Sequence, residues 1–105
     1  HLGSAAVAVL DSGLMPGLGL EPFVVTALDS LHPDEPISDA MGHGTQMAML
    51  ATGMITPEGA GKHAEDYVPV IPVKIFDDQG LTTNYTLIQS IDFALDNNAR
   101  VISLS

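Results

Sequence analysis

The amino-acid sequence predicts an α/β fold in which a mostly parallel sheet is covered by helices. Short apolar runs of strand length alternate along the chain with two segments whose apolar residues recur at helical spacing. Strands that alternate with helices are typical of parallel sheets, whose crossover connections are right-handed. The 105 residues are enough for one small domain.

Three apolar segments are predicted as buried strands. Residues 5–10 form a continuous run rich in Ala and Val, which is typical of a strand that is buried on both faces. Residues 68–76 are β-branched through most of their length, and residues 101–104 form the third strand. Residues 23–31 are a further candidate strand. No helix follows the last strand to cover its second face, so we expect the fold to be incomplete.

Two helices are predicted between these strands. The first covers residues 42–53, with Gly53 as its C-terminal cap. The second runs from Asn84 to Asn97 or Asn98, with Thr83 or Asn84 as its N-terminal cap. Its apolar residues follow the spacing of one helix face, namely Leu87, Ile88, Ile91, Ala94 and Leu95. Residues 32–39, which hold prolines and acidic residues, are predicted as an exposed loop.

Composition excludes several classes of function. Three basic residues stand against 13 acidic ones, giving a formal charge of −10, and this argues against nucleic acid or an anionic membrane as a partner. The absence of cysteine excludes disulfides, thiolate zinc sites and a cysteine nucleophile. No apolar run approaches the roughly 20 residues that span a bilayer. Residues His1–Ser4 lack the basic start of a signal peptide and are typical of a cut site.

Asp11 and His43 are the candidate catalytic residues. Asp11 directly follows the first predicted strand, and catalytic groups gather at the carboxyl ends of parallel strands. The sequence Asp-Ser-Gly is also good turn chemistry, so Asp11 taken alone favours a structural role. His43 opens a helix between two glycines, which let another segment approach the imidazole. A neighbouring carboxylate would offset the positive potential of the helix N-terminus.

Together, these two motifs resemble the subtilisin-like serine proteases. In that family an Asp follows the first such strand, a His opens a helix, and the triad order is Asp, His, Ser. The resemblance continues through Val73-Lys74-Ile75-Phe76, the turn Asp77-Asp78-Gln79-Gly80, a helix that ends near Asn97-Asn98, and the strand Val101-Ile102-Ser103-Leu104-Ser105. It implies a three-layer fold and assigns residues 1–105 to the N-terminal portion of a peptidase catalytic domain.

The resemblance also implies how a substrate binds. An extended peptide or protein substrate would pair with a loop at Gly80, Leu81 and Thr82, and Ser105 would begin the strand edge that lines the primary specificity pocket. The intact domain could bind calcium, whereas we expect no cofactor or metal in this chain. Export to the cell envelope or the medium is the location that the resemblance implies.

The chain departs from the family pattern in several places, among them Gly80-Leu81-Thr82, where the family often has Gly-Ser-Gly, and the segment of the oxyanion-hole asparagine, which is missing. Met49 occupies a position where the family usually has a glycine, and no serine lies in the family's Gly-Thr-Ser nucleophile motif. Ser12, beside Asp11, is interpreted as a turn residue. We therefore expect a serine endopeptidase in which the Asp and His are present and the Ser is absent, so that these 105 residues are inactive alone.

Two alternatives compete with this interpretation. The chain could be a pseudo-protease or a non-catalytic binding unit that pairs with the missing C-terminal half or with a second copy. A phospho-acceptor receiver domain would use Asp11, Asp77 and Lys74, but it needs paired acids after the first strand, and Asp11-Ser12 lacks that pair. The receiver interpretation also leaves Gly42-His43-Gly44-Thr45 unexplained.

Overall fold

The computed structural model describes residues 5–105, and its regular elements are four strands and two α-helices with short 3₁₀ turns between them. The expectation of a cut site at His1–Ser4 lies outside the described residues. Neither α-helix of the described part is long and apolar enough to cross a membrane. The elements are β1 (Ala6–Asp11), β2 (Leu28–Asp29), α1 (His43–Thr52), β3 (Val70–Lys74), α2 (Asn84–Asp96) and β4 (Ala99–Leu104).

The four strands form one parallel sheet in the order β2-β3-β1-β4, which confirms the predicted fold class. Lys74 at the end of β3 is in register with Asp11 on β1 and with Asp29 on β2. Residues in register on neighbouring strands point to the same face, so one cationic and two anionic side chains share the carboxyl edge of the sheet. All three residues are buried.

The two helices lie on opposite faces of the sheet. Ala8 and Leu10 on β1 belong to the core cluster that includes Ala94 of α2. Asp11 points the other way, because successive residues of a strand alternate in direction, and it contacts the first residue of α1. This alternation gives the three layers that the sequence predicted, and it places the end of β1 against the start of α1.

The ends of both helices match their predicted caps. Gly53 terminates α1 with φ 97°, a left-handed conformation that glycine adopts without steric cost, and its N–H donates to the carbonyls of Met49 and Leu50. Thr83 precedes α2, and its hydroxyl oxygen accepts from the N–H of Thr86 at 3.1 Å. These local interactions therefore determine where each helix begins or ends.

Only part of the predicted apolar face of α2 is covered. Leu87, Ile91 and Ala94 pack against the strands, whereas Ile88 and Leu95 are exposed. The apolar stripe of the helix is thus wider than the surface that β1, β3 and β4 present to it within the described residues. The sequence pattern identified the helix correctly but overestimated the buried face.

The predicted strand at residues 23–31 is wrong for most of its length. A 3₁₀ turn occupies Glu21–Phe23, with Pro22 in its first turn, and only Leu28–Asp29 pairs as a strand. Val24 adds an isolated bridge to Val70. β2 lies at the edge of the sheet and has one neighbour, β3. Val24 packs in the cluster that contains Ala48 of α1, whereas Leu28 packs against the core of the sheet.

Removing the N-cap of α2 should weaken the fold. Thr83→Ala deletes the oxygen that accepts from Thr86 N–H, and we expect a loss of about 1 kcal/mol in the free energy of unfolding. Urea titration followed by circular dichroism measures this change. Thr82→Ala, at the preceding exposed position, is the matched control and should change stability by less than about 0.5 kcal/mol. Equal effects of the two substitutions would contradict the capping role.

Candidate active site

The site is built around the carboxylate of Asp11 at the buried end of β1. Its Oδ1 accepts from the backbone N–H of Ser12 at 2.7 Å. The hydroxyl of Ser105, which follows β4, donates to its Oδ2. The carbonyl of Asp11 also accepts from the N–H of Ile75, so the residue is held through both its side chain and its backbone.

His43, the first residue of α1, completes a hydrogen-bonded pair with this carboxylate. Its Nδ1 lies 2.9 Å from both Oδ1 and Oδ2 of Asp11. An ionised carboxylate only accepts hydrogen bonds, so this contact favours the tautomer with the proton on Nδ1 and a lone pair on Nε2. The His43 side chain is 54% exposed. The arrangement is that of an oriented base whose second nitrogen can take a proton from an adjacent group.

The pair forms because the backbone of α1 approaches that of the β1 turn unusually closely. A Cβ atom added to Gly44 would lie 2.5 Å from the carbonyl oxygen of Gly13 and 2.7 Å from its nitrogen. No side chain other than hydrogen fits between these two backbone segments. Gly44 is therefore required for the contact between Asp11 and His43.

Asp39 is a site residue that the sequence analysis missed. It was assigned to an exposed loop, but it is only 5% exposed, although residues 32–36 of the same loop are exposed as predicted. Its Oδ1 accepts from Ser12 Oγ at 2.7 Å and from Gly42 N–H at 2.9 Å. Its Oδ2 accepts from the N–H and the hydroxyl of Thr45 at 2.8 and 2.5 Å. Asp39 is thus buried because it binds the first turn of α1.

These contacts also determine the ionisation of Asp39. Burial by itself would raise the pKa of the carboxyl group, but the hydrogen bonds from Thr45, Ser12 and Gly42 outweigh burial and lower the pKa from its ordinary value. The sequence held a usable clue, since Asp is favoured just before helices, where its oxygens accept orphan N–H groups. The helix predicted from the sequence begins at Gly42, and no N-terminal cap is assigned to it there.

The predicted substrate loop folds into a tight turn beside the site. Asp77 Oδ1 accepts from the N–H groups of Gln79 and Leu81, both at 2.9 Å, so this acid stabilises its own turn. Gly80 lies close to Met41, two residues before His43, since a Cβ on Gly80 would be 4.0 Å from Met41 Cε. The loop therefore lies against the side chain of Met41 in the segment that leads into α1, and its substrate-binding role stays a prediction.

A shallow cavity opens along the same turn. Its volume is about 340 Å³, and Leu81 and Thr82, two of the predicted substrate residues, form part of its wall. Leu31, Asp77 and Thr83 complete the lining. The cavity is large enough to accept one side chain of a bound peptide.

Ser105, the fourth predicted substrate residue, lies at the end of β4 and not in the 80–82 loop. Its N–H is 3.4 Å from the carbonyl of Leu10, which continues the pairing of β4 with β1, and its hydroxyl contacts Asp11. Of the four predicted substrate residues, Ser105 is thus the one that also touches the candidate catalytic pair. Its contact with a substrate stays a prediction.

The structure gives no support to a receiver-type acidic site. Lys74 Nζ donates to the carbonyl of Ser12 at 3.1 Å, and Asp77 is engaged in its own turn. Within residues 5–105, no three His, Asp or Glu side chains are grouped so that they could hold a metal ion. The predictions about calcium in an intact domain stay untested.

Comparison with known sequences decides the family. The sequence model of the subtilase family matches residues 3–105. This chain belongs to the subtilase family. Among curated relatives, it is 28% identical to thermitase from Thermoactinomyces vulgaris over 102 residues, which cover 96% of this chain and 37% of thermitase. The resemblance inferred from the Asp-Ser-Gly and Gly-His-Gly-Thr motifs is therefore confirmed.

The solved structures confirm the subtilase fold. A cold-adapted subtilisin-like serine proteinase superposes with a TM-score of 0.67 at 20% identity, and the match covers 96% of this chain and 35% of that one. This subtilase chain thus spans little more than a third of the length of the relatives that it matches. At this level of identity the superposition establishes the architecture, namely the parallel sheet between helices.

The role of Asp39 in this subtilase chain predicts a characteristic dependence of stability on pH. A carboxyl group whose pKa is lower in the folded protein stabilises the fold above its unfolded pKa, and the contribution is lost as pH falls through the folded pKa. Asp39→Asn should lower the free energy of unfolding by about 1–3 kcal/mol at neutral pH. The difference from the unsubstituted chain should narrow below about pH 4.

Urea titrations at a series of pH values measure this difference. Asp78→Asn, in an exposed turn, is the matched control and should change stability by less than about 0.5 kcal/mol at neutral pH. The free energies of unfolding of Asp39→Asn and of the unsubstituted chain could instead differ by a constant amount from neutral to strongly acidic pH. That result would show that the charge of Asp39 does not stabilise the fold.

Proposed function

We propose that this chain supplies the acid and the base of an Asp-His-Ser triad that hydrolyses peptide bonds, and that the serine comes from polypeptide outside these 105 residues. The observation that carries the proposal is the hydrogen bond from His43 Nδ1 to Asp11, at 2.9 Å from either oxygen. Membership of the subtilase family supports it, since this family is related to serine proteases.

The geometry suits general base and then general acid catalysis. His43 Nε2 takes the proton of the serine hydroxyl as the serine oxygen bonds to the scissile carbonyl carbon. The imidazolium returns that proton to the leaving amine as the C–N bond breaks. Asp11 holds the imidazole in the reactive tautomer and stabilises its positive charge. Water then repeats the sequence on the acyl-enzyme, which releases the acid product and regenerates the serine.

A peptide substrate would lie as an extended strand between the 80–82 loop and β4. Within the described residues β4 pairs with β1 alone, so its outer edge presents N–H and C=O groups to an added strand. Leu81, in the 80–82 loop, is exposed. A peptide in this place would pass close to the exposed imidazole of His43. Export from the cell, which we inferred from the resemblance, would suit such a peptidase and forms part of the proposal.

The serines that lie nearest Asp11 and His43 donate their hydroxyl protons to carboxylates and not to the imidazole. The hydroxyl of Ser12 donates to Asp39, and that of Ser105 donates to Asp11. Within residues 5–105, no serine hydroxyl forms a hydrogen bond to His43. We therefore expect the 105 residues by themselves to cleave no peptide, whereas the polypeptide that includes the remaining family domain should be active.

Labelling with a fluorophosphonate, which reacts with activated serines, tests the proposal. The 105-residue chain should remain unlabelled, and the longer polypeptide should be labelled at one serine outside these residues. In the longer polypeptide, Asp11→Asn should lower kcat for peptide hydrolysis by about 10⁴-fold. His43→Ala should lower it by about 10⁶-fold.

Labelling of a serine within residues 5–105 would contradict the assignment of the nucleophile. Peptidase activity that survives His43→Ala would contradict the assignment of the base. His63→Ala is the matched control, because His63 lies in an exposed segment outside the site and its loss should leave kcat unchanged. These readouts separate the role of His43 from any general effect of replacing a histidine.

The exposed edge strand β4 supports a second candidate function, that of a binding or assembly unit. Val101 and Leu104 on β4 are 56% and 51% exposed, and Ile88 and Leu95 on α2 are exposed as well. An exposed edge strand with apolar neighbours is a template for pairing with another chain. The candidate partners are the remaining part of the domain and a second copy of this chain.

Sedimentation velocity distinguishes these partners. If β4 pairs with a second copy, the 11.0 kDa chain should sediment as a dimer, and Val101→Lys should return it to a monomer. Val25→Lys, at an exposed apolar residue away from β4, should leave the dimer intact. A monomer at all concentrations would exclude self-association through β4.

A further inference from the structure

We propose that Asp39, acting through Ser12, is a positioning residue that holds the imidazole of His43 in the tautomer required for catalysis. The inference deepens the proposed function, on which it rests, and it concerns two residues that the triad chemistry does not use. Ser12 had been interpreted as a turn residue and Asp39 as part of an exposed loop. The structure joins them into one buried network.

The network contacts the backbone on both sides of His43. Gly42 N–H donates to Asp39 Oδ1 at 2.9 Å, and Gly44 N–H donates to Ser12 Oγ at 2.8 Å. The Ser12 hydroxyl in turn donates to Asp39 Oδ1 at 2.7 Å. The backbone N–H groups of the two residues that flank the histidine are therefore bonded to the same carboxylate, that of Gly42 directly and that of Gly44 through the serine hydroxyl.

The same network reaches the partner of the imidazole. Ser12 follows Asp11 in the chain, and its N–H donates to Asp11 Oδ1 at 2.7 Å. The carbonyl of Ser12 accepts from the buried Lys74 Nζ at 3.1 Å, which fixes this peptide group relative to β3. Ser12 thus connects the strand that carries the acid with the helix that carries the base. Ser12 itself is almost completely buried.

The chemistry of the network requires a carboxylate at position 39. Its four partners, Ser12 Oγ, Gly42 N–H and the two donors of Thr45, all donate, and an ionised carboxyl group is the side chain that only accepts. An amide at this position would turn an NH₂ group toward two of the donors. The two donors that face this NH₂ group would then have no acceptor, although the size of the side chain is unchanged.

The consequence for His43 is a restriction of its ring orientation. The Nδ1 proton can reach Asp11 only if the first turn of α1 is held at its present distance from β1, since a hydrogen bond weakens steeply when its geometry is lost. A free neutral imidazole exchanges between its two tautomers, whereas the contact with Asp11 selects the one with Nδ1 protonated. Loosening the anchor at Gly42 and Gly44 should therefore appear as a change in the tautomer of His43.

Long-range ¹H–¹⁵N correlation spectra of the 105-residue chain test this proposal. They are recorded at alkaline pH, so that the spectra report on neutral imidazole rings. In the unsubstituted chain, the nitrogen shifts of His43 should show mainly the Nδ1–H tautomer. In Asp39→Asn, we expect the fraction of the Nε2–H tautomer to rise at least threefold, approaching that of the exposed His63 in the same spectrum.

Asp29→Asn is the matched control. Asp29 is also buried at the carboxyl edge of the sheet, where its Oδ1 accepts from Leu31 and His32 N–H, but none of these contacts leads to α1. Its substitution should weaken the fold and leave the His43 tautomer unchanged. An equal change in Asp29→Asn and Asp39→Asn would show a general loss of structure and would overturn the proposal.

Ser12→Ala decides the question even if Asp39→Asn fails to fold. It keeps the carboxylate and removes only the hydroxyl that joins Asp39 to Gly44 N–H, so the His43 tautomer should change in the same direction. An unchanged tautomer in Ser12→Ala overturns the proposal. Because the readout needs no peptidase activity, a longer polypeptide that cleaves no peptide would refute the proposed function and leave this test standing.

Discussion

The backbone contact between the turn after β1 and the start of α1 is the constraint on which the rest of the site depends. Gly44 lies against Gly13 so closely that a Cβ atom would overlap the Gly13 carbonyl. This approach lets the first side chain of the helix reach the carboxylate at the end of the strand. It also brings Gly44 N–H to the hydroxyl of Ser12. Without it, the side chains of Asp11 and His43 would be too far apart for a hydrogen bond.

Close approach of two backbones leaves polar groups without water, and buried acids compensate for this. Asp39 takes up the N–H groups of the first turn of α1, and Asp11 accepts from Ser12, Ser105 and His43. Within the described residues, every buried side-chain nitrogen and oxygen has a hydrogen-bond partner. Burying charged groups is unfavourable unless they are satisfied in this way. The carboxyl edge of the sheet is therefore a hydrogen-bonded polar frame from which the imidazole of His43 is exposed.

The elements that the sequence predicted well are those whose formation is decided locally. The apolar runs of β1 and β3 need burial on both faces, and the capping residues Thr83 and Gly53 act within a few positions of their own helices. The prediction of a strand at residues 23–31 was wrong, because pairing at a sheet edge depends on a neighbour that the segment itself does not specify. Local composition predicted a strand there, but only Leu28 and Asp29 form a paired strand with β3.

The residues of the candidate site also fall into those that the sequence predicted and those that it did not. The order of the Asp-Ser-Gly and Gly-His-Gly-Thr motifs was sufficient to identify Asp11 and His43 and the family. Asp39 was missed because an acid in a loop that holds prolines is usually solvated, although Gly42 and Thr45, two of its three partner residues, lie within six positions of it. Only the contact with Ser12 is long-range and leaves no trace in the segment that carries Asp39.

A crystal structure of the longer polypeptide, inhibited by a fluorophosphonate, tests the central claim most directly. The account predicts that the phosphonylated serine lies outside residues 1–105, with its Oγ about 3 Å from His43 Nε2 while Asp11 remains bonded to Nδ1. An adduct on a serine remote from His43, or a His43 ring whose Nδ1 no longer contacts Asp11, would contradict it.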